Sequence, residues 1–194
     1  MTRTASATRP NELLDAVANY LGRHGAAEIS LRPLAKAVGS SPRVLLYYFG
    51  SKEAMLSKAL ARWRQRQRDG FTDILGRTFD TPSDACRAIW KAMIDPRLAP
   101  QYRLFFETYA AALRRPRKYR AFLQSSIEEW LAFLAAPMLR RGASKRVARA
   151  HATVILAGFR GFLLDYRAMR DRRRIDRAFD LWLTAVDALA GRLP

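Results

Sequence analysis

Between Ser30 and Phe49 the chain reads SLRPLAKAVGSSPRVLLYYF, a helix-length segment, a turn centred on Gly39 and a second short helix opened by Pro42. That is the layout of a helix-turn-helix, in which one helix braces and the other presents its N-terminal residues outward. The chemistry is recognition of a polyanion. A helix fits the major groove, its first turn sends side chains to base edges, and its dipole and free N–H groups face phosphate. Small Ala35 and Gly39 let the two helices approach, and Leu34, Val38, Leu45 and Leu46 are placed to bury the surface between them. No comparable constellation exists for catalysis. The single Cys86 excludes an intramolecular disulfide and a cysteine zinc cluster. His24 and His151 are far apart with no metal-ligand spacing around them. There is no phosphate-cradling glycine loop, nucleophile elbow or carboxylate pair beside a histidine. The expectation is no enzyme, no metal and no cofactor.

The elements that must hold this motif are helical almost throughout, since apolar residues recur at helical spacing and no alternating strand run appears. A first helix spans Pro10 to about Arg23 with Leu13, Leu14, Val17, Ala18 and Leu21 on one face, and Gly25 is its stop. Ser30 caps the second, running to Val38, and the third runs from Pro42 to Tyr47. Ser51 starts a fourth, which continues through Trp63 into RWRQRQRDG. Beyond it the spacing predicts helices from Thr81-Pro82 to Asp95, Pro100 to Arg114, Pro116 to Arg141, Ser144 to Asp171 and Ile175 to Ala190. Pro137 should kink or shorten the third of these. The fold class is therefore all-α with about nine helices. The start, MTRTASATRP, has no signal-peptide core, and no uncharged apolar run is long enough for a membrane span, so a cytoplasmic protein with no membrane partner is expected.

From about Pro10 to Leu56 the chain resembles the N-terminal domain of the TetR/AcrR family of transcriptional regulators. The resemblance rests on Gly25, Leu34-Ala35, Gly39, Ser41, Leu45 through Phe49, and Ser51-Lys52-Glu53. It implies a helix-turn-helix DNA-binding domain over 1–55, with the motif at about 30–49, and a helical ligand-sensing and dimerising domain over 56–194. It places DNA contacts on Ser41, Pro42, Arg43, Val44, Tyr47 and Lys52, with Ser30 and Arg32 on the backbone. Two positions depart from the family pattern: Arg43 stands where a small residue is usual, and Tyr48 where a histidine often precedes the phenylalanine. Arg43 either grips a guanine through both guanidinium nitrogens or rests on phosphate, and Tyr48 packs beside Phe49. The function implied is a homodimeric repressor on a palindromic double-stranded operator, released by a small-molecule effector of apolar or aromatic character. Activation in place of repression is an alternative.

The resemblance also implies that the last two helices pair with a second copy. Val154, Ile155, Gly158 and Phe162 on the penultimate helix, with Phe179, Trp182 and Val186 on the last, are the interface candidates. The resemblance further implies an effector cavity, for which Tyr102, Phe106, Tyr109, Phe122, Trp130, Phe133 and His151 are the wall candidates; plain core packing is the other reading of each. Charge supports a polyanionic partner without naming it: the chain carries 35 Lys+Arg against 17 Asp+Glu, a net +18. Residues 1–70 hold 12 cations and 5 acids and the remainder 23 and 12, so the surplus is not confined to the head. Arg62, Arg64, Arg66 and Arg68 alternate, which on a helix spreads them around it and forms no single stripe, so they read as a solvated helix end, with direct DNA contact the alternative. Mobile Arg3 and Arg9 could reach a groove or backbone. The rival is a basic helical protein that binds RNA or anionic membrane without sequence specificity.

Overall fold

Side-chain caps and left-handed residues divide the chain into its helices. The computed structural model describes residues 5–24, 30–77, 79–117 and 119–191. Among these residues it has nine α-helices, a 3₁₀ turn at Pro96–Leu98 and no strand. The helices are α1 Ala5–His24, α2 Leu31–Ala37, α3 Pro42–Phe49, α4 Lys52–Leu75, α5 Pro82–Met93, α6 Ala99–Arg114, α7 Arg120–Arg140, α8 Lys145–Met169 and α9 Arg172–Ala190. Thr81 and Asp84 form a capping box at α5, each side chain accepting the other's backbone N–H. Ser144 accepts from Val147 N at 3.3 Å to open α8, and Asp171 accepts from Arg174 N at 3.0 Å to open α9. Gly142 at φ 91 ends α7, and Arg170 at φ 56 ends α8.

Three expectations need correction. α1 begins five residues before Pro10, which lies inside it. α7 begins at Arg120 and continues through Pro137, which is only three residues from its C-terminus, where the lost backbone bond interrupts little of the ladder. α8 is 25 residues long with mean hydropathy 1.3 over its best 18-residue stretch, so by length and composition it is long enough to cross a membrane. Its run Val147–Leu164 contains only Arg149 and Arg160 as charges, which a search for uncharged runs passes over. Gly25 and Arg3 lie outside the described residues, as does the side chain of Arg9.

The chain packs into two units, each built from two segments. Unit 1 is residues 1–67 with 97–125, and unit 2 is residues 68–96 with 126–194. In unit 1, Val17 and Leu21 of α1 share a core with Leu34 and Ala35 of α2, and with Leu45 and Phe49 of α3. Leu56 and Leu60 of α4, Leu104 and Phe105 of α6, and Phe122 of α7 complete it. In unit 2, Ile89 and Trp90 of α5 are buried with Phe159 and Leu163 of α8 and with Phe179 and Leu183 of α9. A second cluster joins Leu131 and Leu134 of α7 to Ala148, Ala152 and Leu156 of α8. The expected boundary at residue 55, drawn by function, does not coincide with this division by packing.

Candidate functional site

Ser41 opens α3 by accepting from Val44 N at 3.3 Å, and Pro42 takes the first helical position, where its missing N–H costs nothing. The helix then turns Leu45 and Phe49 inward, 0% and 5% exposed. Arg43 and Tyr47 point the other way; Tyr47 is 81% exposed and sits edge-on to Tyr48. Leu46, expected in the surface between α2 and α3, is instead 39% exposed, because one helical step past Leu45 carries it out of the core. Gly39 at φ 65 makes the turn, a conformation that a side chain at this position would strain. Ser30 has the extended backbone of an N-cap but makes no side-chain cap bond, which corrects its expected role and leaves its hydroxyl available to a phosphate. Ser51 does cap, accepting from Ala54 N at 3.1 Å, and sets half-buried Lys52 at the start of α4.

All eight DNA-contact candidates are exposed or half-buried. Residues 30–52 contain Arg32, Lys36, Arg43 and Lys52 and no carboxylate. Lys58 adds a cation over the Phe49 ring at 5.7 Å. The acid-free run was readable in the sequence, and it is a stronger local signal than the overall charge.

The arginines of α4 are engaged within the chain, Arg62 and Arg66 while still exposed and Arg64 buried. Arg62 and Arg66 both grip Asp15 of α1, at 2.9 and 2.7 Å. The bond from Arg62 does most to hold the Asp15 carboxyl below its ordinary range, against some desolvation and with the charge of Arg66 adding. Arg64 is 1% exposed, donates to Ser125 Oγ at 2.7 Å and lies over the Phe122 ring at 5.6 Å. Arg68 pairs with Glu129 at 2.6 Å. Alternation around the helix puts Arg62 and Arg66 on one face, sharing Asp15, and turns Arg64 and Arg68 to other neighbours.

The aromatic candidates for an effector cavity are shared between the two packing units. Tyr102 meets Trp63 edge-on in unit 1, and Phe106, Tyr109 and Phe122 belong to the same core. Trp130 and Phe133 pack against each other at 5.5 Å in unit 2, with Phe71 beside Trp130. His151 is elsewhere in unit 2, in the lining of a cavity of about 310 Å³ formed by α5, the end of α7, the start of α8 and the end of α9. Its Nδ1 is buried and has no hydrogen-bond partner. Cys86 is also in this lining, buried, and burial pushes its thiol up to about 12 with the charge of Asp187 adding. It is a neutral thiol at ordinary pH, with little of the thiolate that redox sensing needs.

The dimer candidates divide as well. Phe179 and Val186 are 1% and 4% exposed, inside unit 2. Gly158 gives its space to Trp182 of the same chain: a Cβ there would lie 2.5 Å from the indole. Phe162 stands 5.4 Å from Phe179 and 5.7 Å from Trp182. Val154 is 42% exposed and Ile155 half-buried. The outward surface of α8 is instead Ala150, Val154, Ala157, Gly161, Leu164 and Ala168, all exposed, and α9 adds exposed Leu181, Ala185 and Ala188. The alternating spacing of four and three along α8 is that of a helix-packing seam.

Residues 13–59 match the sequence profile of bacterial regulatory proteins of the tetR family. Over 205 aligned residues the chain is 26% identical to the HTH-type transcriptional regulator EthR of Mycobacterium tuberculosis H37Rv, covering 95% of this chain and 89% of EthR. Among solved structures it is similar to a Rhodococcus sp. protein described as a TetR-family transcriptional regulator, with TM-score 0.72 and 20% identity over 94% of this chain and 98% of that one. It is also similar to Salmonella enterica GusR, with TM-score 0.65 and 20% identity over 92% and 95%. At these identities the structural likenesses speak for the fold alone.

Proposed function

We propose that the chain, whose residues 13–59 match the profile of tetR-family regulators, is a DNA-binding transcriptional regulator that works as a homodimeric cytoplasmic repressor of a palindromic operator, released by a small-molecule effector. The observation that carries the reading is the acid-free helix-turn-helix, with Arg43 and Tyr47 facing outward on a helix whose opposite side is buried. Ser41, Pro42, Arg43, Val44 and Tyr47 meet the groove, while Ser30, Arg32 and Lys52 hold phosphate. A twofold dimer explains the exposed seam on α8 and α9 and gives two heads on two half-sites. Effector release is a difference in affinity between two dimer states, typically about 1–3 kcal/mol. α4, whose residues belong to both packing units, is the element through which such a difference would reach the head.

The test is selection of binding sites from a random duplex library, at fixed near-physiological salt and with excess unrelated DNA and RNA. Salt must be held because a chain of net +18 binds polyanions unspecifically, with an affinity that falls steeply as salt rises. Recovery of a motif with two half-sites, lost on Arg43→Ala or Tyr47→Ala, supports the reading. Repeated recovery of only salt-labile, unspecific binding overturns it in favour of RNA or anionic membrane. A reporter driven from the recovered operator then separates repression from activation.

A further inference from the structure

The cavity of unit 2 combines two kinds of surface that rarely meet. Its wall is apolar, with Ile89, Leu134, Met138, Ile155 and Leu189 among the lining residues. Its charged lining is Arg77, just after α4, with Arg140 and Arg141 at the end of α7, all exposed, and no Asp or Glu lines it. None of these arginines has an ion pair among the described residues, whereas Arg62, Arg66, Arg68, Arg87, Arg149, Arg172 and Arg174 each hold a carboxylate. Asp187, whose charge is felt by Cys86, is itself engaged by Ser83 N at 2.9 Å. A surplus of positive charge alone scatters over a surface. Here two separate segments bring it to the mouth of one apolar cavity.

The interior polar groups point the same way. Thr81 Oγ1 is already bonded to Ser83 and Asp84. The Cys86 thiol is neutral, as described above. That leaves His151, whose buried Nδ1 lacks a partner, as the polar side chain in the lining still to be satisfied. An apolar cavity with one unsatisfied polar atom and a cationic mouth suits an amphiphile. The volume of about 310 Å³ lies at the lower end of the range of about 300–1,000 Å³ typical of small-molecule sites.

We infer that this cavity binds an apolar molecule carrying one carboxylate, its tail against Ile89, Leu134 and Met138 and its head on the guanidiniums of Arg77, Arg140 and Arg141. Planar guanidinium matches carboxylate geometry, so the head contributes direction as well as affinity. A lipophilic cation is rejected by like charge at the mouth. The inference deepens the effector part of the proposed function, and it relies on that reading only for the consequence of binding at the DNA.

The test uses the full-length chain without DNA, titrated calorimetrically with octanoate, 1-octanol and octylammonium. Octanoate is expected to bind at least tenfold more tightly than 1-octanol, and octylammonium not at all. The double variant Arg140→Gln/Arg141→Gln, both positions exposed, should bring octanoate down to the affinity of 1-octanol while leaving 1-octanol unchanged. Ala85→Trp, at a half-buried position in the lining, should abolish binding of both. Equal affinity for octanoate and 1-octanol overturns the inference, as does a preference for octanoate that survives the double arginine variant or the absence of octanoate binding at millimolar concentration. Since no DNA is present, failure here leaves the operator selection untouched, and failure of the selection leaves this binding result standing.

Discussion

Asp15 carries two arginines, and its carboxyl is held below its ordinary range chiefly by the bond from Arg62. A carboxyl whose folded-state pKa is depressed contributes stability above its unfolded value, about 3.9, and loses it as pH falls through the folded value. The side chain is 30% exposed, so the contribution is that of a solvated network, about 1 kcal/mol or less. Asp15→Asn should therefore lower stability at pH 7 by that amount, and the gap between the two proteins should narrow as pH falls below the ordinary carboxylate range, as read by urea unfolding across that range. An offset that does not change with pH would show that the fork does not form. Tyr47 is the opposite case. At 81% exposure its removal should change folding stability by no more than about 0.5 kcal/mol, while binding to the selected operator falls tenfold or more. Arg43→Ala distinguishes its two readings. A base contact costs about 1–3 kcal/mol at one operator position, whereas a phosphate contact weakens all sequences alike and lowers the salt slope by about one.

Two glycines on α8, three residues apart, have opposite surroundings. A Cβ at Gly158 would lie 2.5 Å from the Trp182 ring, while a Cβ at Gly161 would meet nothing within 4 Å. Gly158→Ala must displace an indole that packs on Phe159, Phe162 and Phe179, and should destabilise by about 1–3 kcal/mol. Gly161→Ala should stabilise the folded chain by up to about 1 kcal/mol through helix propensity alone, unless the seam needs the glycine. Denaturant titration at low protein concentration, where association is weak, gives both numbers; destabilisation by Gly161→Ala under those conditions would refute the open environment described for it. Both glycines are equally visible in the sequence as small residues on an apolar helix, and only packing assigns one of them to Trp182. The same limit applies elsewhere. The caps at Ser41, Thr81 and Ser144 and the turn at Gly39 follow from local chemistry, which the sequence contains in full, whereas the inward face of α3 is legible at Leu45 and misassigned at Leu46. Phe179 and Val186 look like interface residues because periodicity identifies an apolar face without saying which helix covers it. The partners of Arg62, Arg64 and Arg66 lie 47 or more residues away, beyond any spacing rule.

For the whole molecule, the exposed apolar faces of α8 and α9 call for a covering surface. Leu164 and Leu181 are 52% and 76% exposed, and they flank stripes of alanine and glycine that allow helices to approach closely. The long hydropathic run of α8 would also suit a bilayer, but Arg149 holds Glu128 at 2.7 Å on that same run, and a membrane core penalises such charges. The proposed second copy would cover the apolar stripe while leaving those charges in water. Leu164→Glu with Leu181→Glu separates these possibilities. In an isolated chain both positions face solvent, so the substitutions cost little and the protein stays folded. In a dimer they place carboxylates inside an apolar seam, and sedimentation equilibrium should show a shift from the mass of two chains to that of one. Operator binding should fall with it by about 10²- to 10⁴-fold, since the second head no longer gains from effective concentration, while contact with a single half-site is retained at low salt. An unchanged mass would move the interface to another face. A wild-type chain that is already monomeric and floats with phospholipid vesicles would make the seam of α8 a membrane surface, and the twofold operator reading would fall with the dimer.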